Sequence, residues 1–305
     1  MFSWRRRGSE EVEAGSPADP LRRIRSLEIR SRVLADEMLL GTYRSVFRGS
    51  GLEFEEVREY EQGDDVRTID WNVTARMGVP FIKKYREDRE LAIFLAVDVS
   101  SSTWFGSAAR SKYLLAVEVG TLLAAVALRN GDRVGLLLFA ERVERFLAPS
   151  AGRQHLLRVI RELVSADPVR ARTDFGAAVR FLRNVAKKRA VVFVLSDFLD
   201  ADFSAVLRRL ARTHDVVALT LNDPRELDLP AVGLIALEDA ESGMVELVDT
   251  GDPAVRQAYA RAARERRLER RRSFARSVVD VADLSTDRPF VPLLQALFNA
   301  RSRRH

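Results

Sequence analysis

Leu91-Ala92-Ile93-Phe94-Leu95-Ala96-Val97-Asp98-Val99-Ser100-Ser101-Ser102 is the stretch that decides the fold. The run Leu91–Val97 is apolar without a break, and polarity reverses at Asp98. A strand with one wet face alternates in polarity. An unbroken run of this length fits a central strand covered on both faces. The residues just past its carboxyl end then carry one carboxylate and two alternate hydroxyls, Asp98, Ser100 and Ser102.

Working outward, strand and helix patterns alternate. Lys112–Arg129 reads as a helix that is apolar nearly all round, and Asn130-Gly131-Asp132 turns into a strand at Arg133–Phe139. Arg142–Leu147 fits a hairpin return, and Gln154–Val164 places Leu156, Ile160 and Leu163 on one helical stripe. Further helices are expected at Asp174–Lys187, Asp202–Arg212, Pro253–Arg276 and Val291–Ala300. Strands are expected at Ala190–Leu195, Val216–Leu221 and Val278–Leu284, with a short pair at Gly233–Leu237 and Met244–Val248. This alternation predicts an α/β domain over 91–300: a Rossmann-like, doubly wound, mostly parallel sheet.

Upstream, residues 1–20 are basic and polar and are expected to be a disordered tail. Residues 21–90 are expected to hold an N-terminal helix, ended by Gly41, and a small β-containing segment with a strand near Val79–Tyr85. Asp64, Asp65 and Asp70 there are read as turn formers pairing with Arg58 and Arg67, and Trp71 as a packing anchor.

Composition excludes much. With no cysteine there are no disulfides, thiolate metal sites or cysteine nucleophiles. The three histidines, His155, His214 and His305, are scattered, and no phosphate-binding G-x-x-x-x-G-K-[ST] loop occurs. The net charge of +6 suggests a nucleic-acid partner. Against that, lysine occurs only at positions 83, 84, 112, 187 and 188, the other basic residues being arginine, and acidic residues are interspersed throughout. No apolar stretch follows Met1–Arg7 and none reaches the roughly 18 to 20 residues of a membrane helix, so a cytoplasmic chain without stable membrane insertion is expected.

Two further oxygen donors recur where the strand ends would converge: Thr173, ahead of a helix, and Asp197, after the apolar run Ala190–Leu195. Hard cations take oxygen ligands. Asp98, Ser100, Ser102, Thr173 and Asp197 offer three hydroxyls and two carboxylates, a sparse shell that leaves an ion residual charge and an open position. A carboxylate from a partner protein fits that position. Mg²⁺ is the favoured ion, with Mn²⁺ or Ca²⁺ as alternatives.

Asp98-x-Ser100-x-Ser102, Thr173-Asp174 and Asp197 resemble the metal-ion-dependent adhesion site of von Willebrand A domains. The resemblance implies direct ligation by Ser100, Ser102 and Thr173. Asp98 and Asp197 would act directly or through water, and Asp174 would stand behind the ligands or cap its own helix. Gly49-Ser50-Gly51-Leu52-Glu53-Phe54, Val57-Arg58-Glu59-Tyr60, Gly63-Asp64-Asp65-x-Arg67-x-Ile69-Asp70-Trp71 and Ala75-Arg76 resemble the signature of the bacterial domain of unknown function 58 family. That likeness runs from about residue 21 to 290. It implies association with MoxR-type AAA+ ATPases.

The resulting expectation is a non-enzymatic, metal-dependent protein-interaction module, an adaptor for a MoxR-type ATPase. Two readings compete with it. One is a Mg²⁺-dependent phosphoester hydrolase with Asp98 as nucleophile. The other is nucleic-acid binding through the arginine-rich helix 254–276.

Overall fold

The computed structural model describes residues 2–5, 20–35, 43, 46–47, 51–88, 91–108, 110–167, 169, 171–199, 203–240, 242–277 and 279–304. The chain divides into two compact units, Phe47–Leu91 and the remainder.

In chain order, β1 (Phe2–Arg5) and α1 (Pro20–Leu34) precede the smaller unit, which holds β2 (Gly51–Glu59), α2 (Trp71–Met77) and β3 (Phe81–Asp88). The larger unit resumes with β4 (Ala92–Asp98), α3 (Lys112–Arg129), β5 (Arg133–Phe139), β6 (Val143–Ser150) and α4 (Arg153–Val164). It continues through α5 (Phe175–Val185), β7 (Val191–Ser196), α6 (Phe203–Ala211) and β8 (Asp215–Asn222). Last come β9 (Leu234–Asp239), β10 (Val245–Asp249), α7 (Pro253–Ser277), β11 (Asp280–Ser285) and α8 (Val291–Ser302).

The main sheet runs β11-β8-β7-β4-β5-β6. All neighbours are parallel except the edge strand β6, which turns back antiparallel on β5. Counted within this sheet, the order is third-second-first-fourth-fifth-sixth, the doubly wound arrangement expected from the sequence. The chain leaves β4 towards β5 on one side and later towards β7 on the other, so the strand order reverses at β4. The unbroken run Leu91–Val97 is explained by this central place: from Ile93 to Val97 every side chain is buried. Gly131, at φ +90°, makes the turn into β5 that an L side chain would resist.

An aromatic cluster sits within the core of the larger unit. The Phe175 and Phe198 rings stack at 5.2 Å, and Phe203 and Phe274 meet Phe198 edge-on at 5.3 and 5.0 Å. Phe198 is the one non-glycine residue with positive φ (52°) among the described residues. Its ring is 2% exposed. Burial of that ring offsets the cost of a left-handed backbone.

Several expectations change. Phe2–Arg5, placed in the disordered tail, pairs antiparallel with β9, which also pairs with β10 as the expected hairpin. Residues 6–19 and Gly41 lie outside the described residues. The N-terminal helix, expected within the 21–90 segment, packs on α3 and α4 of the larger unit; Glu28 and Ser31 are buried on it, while Ile29 and Val33 stay exposed.

In the smaller unit β2 and β3 form an antiparallel hairpin with an irregularity between Phe54 and Glu56. Arg58 Nη2 donates to Asp64 at 2.7 Å, Asp65 accepts from Arg67 N, and Asp70 caps α2 by accepting from Asn72 N at 3.0 Å. Asp64 pairs with Arg58 as expected, Asp65 meets Arg67 through its backbone N–H, and Asp70 serves as a helix cap. Trp71 is not a packing anchor: it is 68% exposed, at the first position of a seven-residue helix that buries none of its residues. Among the described residues no helix is long and apolar enough to cross a membrane.

Candidate metal centre

Asp98 ends β4 and is completely buried. Its Oδ1 accepts from the backbone N–H of Ser100 at 2.9 Å, which curls the chain so that Ser100 and Ser102 present their hydroxyls together, 3.3 Å apart. A one-turn 3₁₀ helix, Ser101–Trp104, follows, and Thr103 donates back to Ser100 O.

Thr173 arrives from another loop. Asp174 N–H donates to Ala140 O just past β5, and the Asp174 carboxylate caps α5 by accepting from Ala177 N. Asp174 is thus the cap of its own helix. With the loop fixed, Thr173 Oγ1 lies 3.1 Å from Asp98 Oδ2 and 3.0 Å from Ser100 Oγ. From the end of β7, Ser196 Oγ donates to Asp98 Oδ2 at 2.6 Å and accepts from Phe198 N.

Four of the five sequence-identified residues therefore share one cluster of oxygens: Asp98, Ser100, Ser102 and Thr173. Cis ligands of an octahedral ion with bonds near 2.1 Å sit about 3.0 Å apart. The spacings of 3.0, 3.1 and 3.3 Å fit that shell, and the donors are the hard oxygens that Mg²⁺, Mn²⁺ and Ca²⁺ take. Thr173 is the partly open member; Ser100 and Ser102 are buried.

The fifth residue, Asp197, reaches the same strand end but turns its carboxylate to Lys112 Nζ at 2.7 Å. Lys112, the first residue of α3, is completely buried and also donates to Glu226 Oε1. Arg270 of α7 donates to Asp197 O at 2.6 Å and to Asn222 Oδ1.

Charges follow from this packing. Burial, and then the Asp197 charge, push the Asp98 carboxyl from an ordinary 3.8 up to about 6, against hydrogen bonds from Ser196 and Ser100 that favour the anion. Burial alone would depress the Lys112 ammonium, but Asp197 and Glu226 outweigh it and hold its pKa above the ordinary lysine value. Burial raises Glu226, which Lys112 opposes.

Lys112, Ser196, Glu226 and Arg270 were not singled out from the sequence as parts of the site. Lys112 carried one signal: a lysine in an arginine-dominated chain, at the head of a helix apolar almost all round. The arginine helix is partly absorbed into the fold. Besides Arg270, Arg271 and Arg267 pair with Asp283, and Arg256 donates to Thr250 O.

A family model described as protein of unknown function DUF58 matches residues 56–269. An uncharacterized protein of Mycobacterium tuberculosis (strain H37Rv) is 35% identical over 284 residues, covering 92% of this chain and 89% of its own. An uncharacterized protein of Mycobacterium avium is 32% identical over 151 residues, 49% of this chain and 88% of that one. Among solved structures, the conserved hypothetical protein BatB from Bacteroides thetaiotaomicron aligns over 70% of this chain and 99% of its own, with TM-score 0.44 and 14% identity. The SpRpn10 von Willebrand A domain aligns over 69% of this chain and 95% of its own, with TM-score 0.36 and 14% identity.

Proposed function

The chain belongs to the DUF58 family, and on that footing we propose that it is a protein-interaction module whose partner docks through a divalent ion. The ion, Mg²⁺ with Mn²⁺ or Ca²⁺ as substitutes, would be held by Ser100, Ser102, Thr173 and Asp98. A carboxylate of the partner would complete its shell from the Thr173 side. The observation that carries this reading is the cluster of oxygens at octahedral spacing beyond β4, where the strand order reverses.

A binding role is supported over a catalytic one by the surroundings of Asp98. Its carboxylate is completely buried, out of reach of an in-line approach by a bulky phosphoester, while a bare ion is small enough to sit among the neighbouring hydroxyls. His155 Nε2 lies 2.6 Å from Val134 O, and His214 Nδ1 accepts from Ala190 N, so both rings are engaged by sheet backbone. The partner class, a MoxR-type AAA+ ATPase met in the cytoplasm, comes from the family resemblance.

The test is binding of a purified MoxR-type ATPase to the immobilised full chain, in Mg²⁺ or in chelator, for wild type and Ser100→Ala/Ser102→Ala. Binding should require both the metal and the two hydroxyls. Equal binding in all four conditions would refute metal-mediated docking.

A further inference from the structure

We propose that Lys112 is a positioning residue: a buried counter-cation that withholds Asp197 from the ion and so leaves the ion its positive charge for the partner. This rests on the metal reading above and adds to it a reason why the site binds carboxylates rather than saturating itself.

The geometry is specific. Asp197 Oδ2 and Lys112 Nζ are 2.7 Å apart, with side chains 2% and 0% exposed. Among the described residues the Asp197 carboxylate makes no hydrogen bond to Ser100, Ser102 or Thr173, while Asp98 is tied to Ser100 and Thr173. Asp197 is also fixed through its backbone: Arg270 holds its carbonyl, and the next residue, Phe198, is anchored by its buried ring and by Ser196. To reach an ion among the hydroxyls, the carboxylate would have to leave a buried ammonium facing Glu226 alone. Breaking a buried pair in this way is far costlier than breaking an exposed one.

The consequence is electrostatic. Hydroxyl ligands carry no formal charge, so a divalent ion among Ser100, Ser102 and Thr173 is neutralised in its first shell by Asp98 alone. It keeps net positive charge and a coordination position filled by water. A second carboxylate in the shell would tighten the metal and remove the attraction for a third, supplied by the partner. Lys112 thus trades metal affinity for carboxylate affinity.

Mn²⁺ alone is a sufficient probe. Titration of the full chain, followed by Mn²⁺ electron paramagnetic resonance and water-proton relaxation, gives the affinity and the number of exchangeable waters on the bound ion. Lys112→Met frees Asp197, and Lys112→Met/Glu226→Gln does so with one buried carboxylate fewer, which guards against loss of folding; circular dichroism checks both. In each folded variant Mn²⁺ should bind roughly tenfold more tightly, the scale typical of changes just outside a metal's shell. The bound ion should also carry one exchangeable water fewer. Unchanged affinity and water count in a folded variant would overturn the role of Lys112 while leaving the metal site standing. Absence of Mn²⁺ binding by wild type would overturn the metal site and this role with it.

Discussion

Replacing Asp98 by Asn should stabilise the metal-free protein while destroying its response to metal. Asp98 is fully buried, and its carboxyl is raised from 3.8 to about 6. A carboxyl whose folded pKa lies above its unfolded one contributes stability that is complete below the unfolded value and is lost as pH rises through the folded value. The loss therefore falls between about pH 4 and pH 6, and by pH 7.5 it amounts to at most about 3 kcal/mol, at 1.36 kcal/mol per tenfold in proton affinity. Asn removes the charge and keeps most of the bonding. Its Oδ1 can accept from Ser100 N, and its amide can donate to the Thr173 and Ser196 hydroxyls, which rotate to accept. In chelator at pH 7.5 the variant should melt above wild type by something on the order of 5 °C. The gap should close towards pH 4, where both forms are uncharged. Mg²⁺ should then raise wild type, by about 2.7 kcal/mol at a hundredfold excess over its Kd, and leave the variant unmoved. Differential scanning calorimetry at both pH values, with and without Mg²⁺, measures all of this. A variant less stable than wild type in chelator at pH 7.5, or a gap equal at pH 4 and pH 7.5, would refute the assignment of a buried, costly anion at position 98.

Arg301 is 3% exposed and donates to Asp280 and Asp215 at 2.7 and 2.5 Å, fastening α8 to β11 and β8; Arg301→Met should cost about 3 kcal/mol in urea unfolding. A cost below about 1 kcal/mol would show that solvent screens the two partly exposed carboxylates well enough without it. Trp71→Ala should change stability by no more than about 0.5 kcal/mol, as befits an exposed side chain; a loss above 2 kcal/mol by the same assay would restore the packing role. 4-Nitrophenyl phosphate with Mg²⁺ should be turned over no faster than in buffer. Metal-dependent turnover abolished by Asp98→Asn would sink the non-enzymatic reading.

The parts of the fold legible in the sequence are those where one local rule suffices. Leu91–Val97 announces a doubly covered strand because burial on both faces removes polar alternation, and β7 does so for the same reason. Asp98, Ser100 and Ser102 are legible because their spacing is local, and Thr173 because it opens a helix beside another strand end. Phe2–Arg5 gives no such signal: four residues carry too little periodicity, and its pairing partner is β9, more than two hundred residues away. Trp71 misleads because a large aromatic is expected to be inside, while its burial depends on what a seven-residue helix can cover.

Lys112 is the deeper case. Its meaning depends on Asp197 and Glu226, 85 and 114 residues along the chain, brought to it by the ends of β7 and β8. Hydropathy reads a lysine at a helix start as solvated, so the pattern conceals a cation placed in the core. The composition hints at the reason for its chemistry. In a chain whose cations are almost all arginine, an ammonium stands where two carboxylates from different loops must be bridged in a closed space. Arginine binds through a planar fork that needs a matching flat acceptor, whereas lysine offers a compact charge with three donors that can point separately. Two carboxylates approaching from different directions suit the second geometry. The choice of lysine at this position is thus an argument from shape that only the folded chain makes visible.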